Sequence, residues 1–166
     1  MKYIMLPSEL VGFTNHSSEI IKTASNREMY LLHGEHKGSA EDCLCTECGG
    51  MMHIHNRCEV NLRPLCFGFK LSCLRFSKLR YYCPRCGHSH MQAVPFQAQG
   101  HRISCELLNY TRDLLAYGFT NKEVAHITGL GKNTVKDIDL ERLKEKYTVD
   151  GERLIQPGIF DSLFGT

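Results

Sequence analysis

Apolar and polar positions change their spacing twice along this chain. From Ile20 and Ile21 the pattern alternates loosely, and residues 28–33 read as a second short strand. Residues 1–42 are therefore expected to be a leader with short strands, ending in a polar, glycine-containing turn over 34–42. Short β-like runs follow at 51–55, 65–69 and 71–76, with Gly68 expected to turn the chain between the last two. Beyond residue 99 the period lengthens. Ile103, Leu107, Leu108, Thr111, Leu114 and Leu115 recur at helical spacing, and Gly118 is placed to close that helix. Thr120 followed by Glu123 is a capping box for a second helix, which Gly129 should end. Asn133 is expected to cap a third helix running to about residue 146, and residues 148–166 form a tail with little pattern.

The pattern gives an α+β fold class: a small β-rich domain at 43–98, then a three-helix domain at 99–147. At 166 residues the chain has room for two small domains, and a hydrophobic share of 42% does not suggest disorder.

The nine cysteines change the picture most. Four of them form two copies of one device, Cys45-x-x-Cys48-Gly49 and Cys83-x-x-Cys86-Gly87. A tight turn of this kind points two thiolates at one metal, and the glycine accepts the strained backbone after the second ligand. Two such knuckles supply the four sulfurs that tetrahedral zinc takes, so one structural zinc on Cys45, Cys48, Cys83 and Cys86 is expected, in a zinc-ribbon-like module. A closed four-sulfur site leaves no position for a reactive water. The 34 residues between the knuckles imply an extended hairpin insert. A redox dithiol would want a βαβ setting, an iron–sulfur cluster could use the same four cysteines, and a disulfide scaffold fits poorly with an odd cysteine count. Cys43 remains an alternative to Cys45, and His53, His55, His88 and His90 are candidates for a second metal. Cys58, Cys66, Cys73 and Cys105 read as small buried hydrophobes.

Charge adds a partner. The net charge is only +2, yet residues 60–105 hold seven cations (Arg63, Lys70, Arg75, Lys78, Arg80, Arg85 and Arg102) and no acid. Such a stretch points to a polyanion, with Arg75, Lys78, Arg80, Arg85 and Arg102 as candidate phosphate contacts. Residues 120–139 fit a helix-turn-helix: Val124, Ala125, Leu130, Val135 and Ile138 would pack inward. Lys132, Asn133, Thr134 and Lys136 would then start the outward face of a recognition helix and read base edges in the major groove.

In this order the motifs resemble the N-terminal half of bacterial insertion-sequence transposases of the ISL-three family. The resemblance covers about residues 20–147. It rests on the first knuckle followed by His53-x-His55, on Lys78-Leu-Arg80 leading into the second knuckle, on Pro95-Phe-Gln-Ala-Gln-Gly-His101-Arg102-Ile103, and on Thr134-Val-Lys-Asp-Ile-Asp-Leu-Glu-Arg-Leu143. It implies that the four cysteines hold zinc and that the helix-turn-helix binds the terminal inverted repeats of a mobile element. In that family an RNase H-like catalytic domain follows. Nothing after residue 147 corresponds to it, and Asp161 alone cannot supply a carboxylate cluster for two-metal chemistry. The expectation is a non-enzymatic, sequence-specific binder of double-stranded DNA, acting as a regulator or inhibitor of transposition. Expected partners beyond DNA are a second copy or a full-length transposase, with no membrane and no small-molecule substrate. The expected location is the bacterial cytoplasm, at the nucleoid. Two alternatives stand beside it: the recognition subunit of a split transposase, and a zinc-stapled protein-interaction module without nucleic acid.

Overall fold

The computed structural model describes residues 10–66 and 70–148. Five strands, β1 (Phe13–Lys22), β2 (Glu28–His36), β3 (His53–Leu62), β4 (Leu71–Tyr82) and β5 (Ser89–Met91), precede three helices, α1 (Cys105–Ala116), α2 (Asn121–Thr128) and α3 (Lys132–Thr148). The class is α+β with one mixed sheet. The chain divides into two compact units, residues 1–109 and 110–166.

In the first unit the strand order is β1-β2-β4-β3. The β1–β2 and β3–β4 pairs are antiparallel, whereas β2 runs parallel to β4 over residues 29–33 and 71–75. The small strand β5 pairs with Arg80, Tyr81 and Tyr82, on the edge of β4 that β2 occupies farther back. The short strands expected within residues 1–42 belong, as β1 and β2, to the same sheet as the cysteine-rich segment; residues 1–9 of the expected leader lie outside the described residues. The parallel β2–β4 pairing joins segments about forty residues apart, which no local pattern can announce.

Strand β4 carries two cores, one on each face. In its first half Leu74 and Phe76 face a cluster with Leu10, Phe13, Leu32, Leu62, Val94 and Phe96. In its second half Leu79 and Tyr81, on the opposite face by alternation, meet Cys45, Met52 and Cys83. A strand buried on both faces over residues 71–74, and covered by different clusters on its two faces farther along, shows no single hydrophobic alternation. For that reason the sequence pattern stops at residue 76 and conceals the strand over residues 77–82.

Other expectations shift in detail. Residues 34–36 are strand, not turn. A side chain at Gly34 would collide with the Thr14 carbonyl oxygen and the Phe13 ring, so this glycine serves the close approach of β1. The expected strand at 51–55 runs on to Leu62. Of the run expected at 65–69, Leu65 and Cys66 are not strand, and the remainder lies outside the described residues, as does the Gly68 turn. The tail from residue 149, with Asp161, also lies outside them.

Ile103 precedes α1 and bridges to Arg63, and Ser104 begins the helix by accepting from the Leu107 N–H at 3.1 Å. Gly118, at φ 93°, ends α1 as expected: its N–H bonds the Leu115 carbonyl, and the Phe119 N–H bonds the Leu114 carbonyl. In the second unit the Thr120–Glu123 capping box is formed in both directions, and Gly129 closes α2 in the left-handed conformation. Helix α3 begins at Lys132, so Asn133 lies within its first turn and does not cap it. The Gly131 carbonyl instead accepts the N–H of Val135 at 3.1 Å. Helices α2 and α3 pack together, with Val124, Ala125, Leu130, Val135 and Ile138 buried.

Candidate functional site

Each knuckle is built by the same backbone bonds. The Gly49 N–H reaches the Cys45 carbonyl, and the Gly87 N–H the Cys83 carbonyl, both at 2.9 Å. Both glycines hold positive φ, 66° and 76°, a region that costs other residues strain. A further pair of bonds closes each loop, from Cys45 N–H to Gly50 O and from Cys83 N–H to His88 O. Their effect is to bring Cys45, Cys48, Cys83 and Cys86 together, every sulfur within 4.8 Å of the others. Two close separations cross between the knuckles: Cys45 to Cys86 at 3.5 Å and Cys48 to Cys83 at 3.6 Å. A disulfide would need about 2 Å. Sulfurs on a tetrahedron of about 2.3 Å radius stand roughly 3.8 Å apart, so the spacing suits one small shared cation.

The electrostatics agree with that use. Burial pushes the Cys83 thiol up, but the backbone N–H groups of Cys86 and Arg85 and the neighbouring thiols outweigh it and bring it down to about 7. The His88 N–H favours the Cys86 thiolate. Hydrogen bonding to Cys45, burial and the other two thiols prevail and raise Cys86 to about 12. One thiol gives up its proton readily and another resists; only a cation would stabilise all four as thiolates at once.

The structure resolves the register. Cys43 lies outside the four-sulfur set and packs beside it, against Tyr81. The histidines do not form a second centre among the described residues. His55 stacks obliquely near Tyr82, while His88 and His90 lie with ring centroids 6.1 Å apart and His90 donates to the Asp42 carbonyl.

The support behind the cluster has no signature in the sequence. Buried Asp42 accepts from the Ser39 and Ala93 N–H groups, tying the entry to the first knuckle to the chain just after β5. Gln92, 1% exposed, accepts from the Leu79 N–H and donates to His36 at both Nδ1 and the carbonyl. Only the spatial neighbours of these residues reveal their roles.

The acid-free stretch of sequence is not acid-free in space. Lys70 pairs with Glu28 across strands, and Arg75 reaches Asn61 at 3.0 Å and Glu59 at 3.7 Å. Arg63 is buried deeply enough to depress its pKa and donates to the Ser72 carbonyl at 2.8 Å. Lys78 is half-buried, its pKa also lowered by burial, and donates to Gln97. Arg80, Arg85 and Arg102 are exposed. In the second unit Lys132, Asn133 and Lys136 are exposed on the first turns of α3, Thr134 is half-exposed, and the first turn carries no acid.

Among the described residues no helix is long and apolar enough to cross a membrane. Compared with protein-family models, curated proteins and solved structures, the chain finds no match in any of the three.

Proposed function

We propose that this chain binds double-stranded DNA sequence-specifically, in the manner of the end-recognition part of an ISL-three-type transposase. In this reading the four cysteines hold one zinc ion. Its role is folding, because four thiolates complete its coordination and leave no site for water or substrate.

The observation that carries the reading is the face of α3 left uncovered when α2 packs on it. Val135 and Ile138 are fully buried, as are Val124 of α2 and, nearly so, Leu130 of the turn. Lys132, Asn133 and Lys136 remain exposed on the first turns, where a recognition helix of a helix-turn-helix meets base edges. Lysine can donate to guanine and asparagine can pair with adenine. The α3 N-terminus also favours an anion through the helix dipole, and no acid stands in its first turn. Farther along, Asp137, Asp139 and Glu141 would repel phosphate, so contact is confined to the start of the helix.

Selection of bound sequences from a random duplex library, with zinc assayed on the same protein, tests this directly. An enriched motif and about one zinc per chain are expected. Lys132→Ala with Asn133→Ala should then relax the preference at one or two positions, at about 1–3 kcal/mol for each base no longer read. A protein that holds zinc but enriches nothing, and shows no salt-dependent binding, would leave the protein-interaction reading in its place.

A further inference from the structure

The two faces of β4 differ in what covers them, and the difference isolates one charged surface. On the half nearer the knuckles, Leu79 and Tyr81 turn toward the cysteine cluster. The opposite face carries Arg80 and Tyr82, both exposed. Cross-strand register places Asn56 and Met91 beside Arg80, and His53 and Ser89 beside Tyr82. The His55 ring, at the bulge in β3, comes within 6.0 Å of the Tyr82 ring. No Asp or Glu belongs to this half-face among the strand residues. The acid that neutralises Arg75 lies on the other side, since Glu59 stands opposite Ser77 and Asn61 opposite Arg75.

Building on the DNA-binding reading above, we propose that this three-stranded face, with Arg80 and Tyr82 at its centre, docks on the sugar–phosphate backbone of duplex DNA. Charge complementarity selects the partner. The face presents a guanidinium without an ion pair among the described residues, a phenol, an amide and two imidazoles, all able to donate to phosphate oxygens. A guanidinium and a phenol that donate to phosphate oxygens contribute to affinity and orientation and not to sequence choice. The sheet supplies rigidity, because the knuckles and their four cysteines brace the opposite face.

The test is the salt dependence of binding to a duplex of random sequence, measured with the full chain loaded with zinc. Arg80→Ala should lower the slope of log K against log salt by about one. Arg80→Lys should restore it, and Tyr82→Ala should weaken binding about three- to tenfold at unchanged slope. Arg75→Ala, already paired and on the opposite face, should leave both unchanged. These positions are at the surface, so unaltered zinc content would show that each variant folds. Duplex binding that is insensitive to Arg80 and Tyr82, or as sensitive to Arg75, overturns the docking face and leaves the DNA reading intact. Equal binding of double-stranded RNA through Arg80 overturns the choice of DNA. No duplex binding at any salt overturns both proposals.

Discussion

Gln92 holds its side-chain nitrogen 3.2 Å from Nδ1 of His36, a residue 56 positions earlier in the chain. The orientation of the amide is fixed from its other end, where the oxygen accepts from the Leu79 N–H at 3.0 Å. Nδ1 must therefore accept, and the ring's proton sits on Nε2, facing the Val11 carbonyl. Its neighbours favour the neutral ring: burial, with Phe76 and Phe96 crowding it, holds the His36 pKa below the usual value of 6.5.

That relationship sets a pH dependence. Well above pH 6.5 the ring is neutral in both the folded and unfolded chain and contributes nothing. As pH falls below 6.5 the unfolded chain takes up a proton that the native ring resists, so stability declines until the folded value is passed. The midpoint of the His36 ring titration in NMR should lie below 6.5 in the folded protein, and the melting temperature should begin to drop as pH falls through 6.5. A ring that titrates at or above 6.5 in the folded protein would contradict this.

Cys83→Ser should abolish metal binding and unfold the sheet unit, seen as loss of bound metal and of dispersed amide signals. Cys43→Ser should retain full metal content, because Cys43 only packs beside the cluster. Metal loss in the Cys43 variant would return that residue to the ligand set. Four thiols must deprotonate for full coordination, so metal affinity should fall as pH is lowered, with proton release measurable by calorimetry in two buffers.

Leu74 is fully buried where β4 contributes to the larger core, with Phe76, Leu32 and Leu62 around it. Leu74→Ala should cost about 2–5 kcal/mol in denaturant unfolding. A cost below about 1 kcal/mol would mean that the two-faced packing of β4 is wrong.

Thr120→Ala removes a side chain that accepts from the Glu123 N–H and should destabilise the helical unit by about 1 kcal/mol. The Glu123 carboxylate in turn accepts from the Thr120 N–H, then from its hydroxyl, which lowers its pKa below 4.5. This reciprocal cap is present above pH 4.5 and is lost as pH falls through the depressed value. Hydrogen exchange at Glu123 should therefore quicken in the variant. An unchanged rate would show that the cap is not what holds this turn.

Local chemistry is legible in the residues themselves. The capping box, the glycines at 118 and 129, and the two knuckles each depend on residues a few positions apart, whose backbone needs are written in their identity. The sequence by itself determined that four cysteines form two matched pairs, and that three helices follow a β-rich segment. What it could not express was partnership across distance. Whether Cys43 or Cys45 joined the cluster depended on the loop closed by Gly50 and on the space beside Tyr81. Whether a cation was free depended on Glu28 and Glu59, which lie outside the basic stretch and reach it only through strand pairing. The parallel β2–β4 pairing and the switch of core from one face of β4 to the other belong to the same class. Burial and ion pairing are properties of neighbours in space, and the sheet alone decided which neighbours those were.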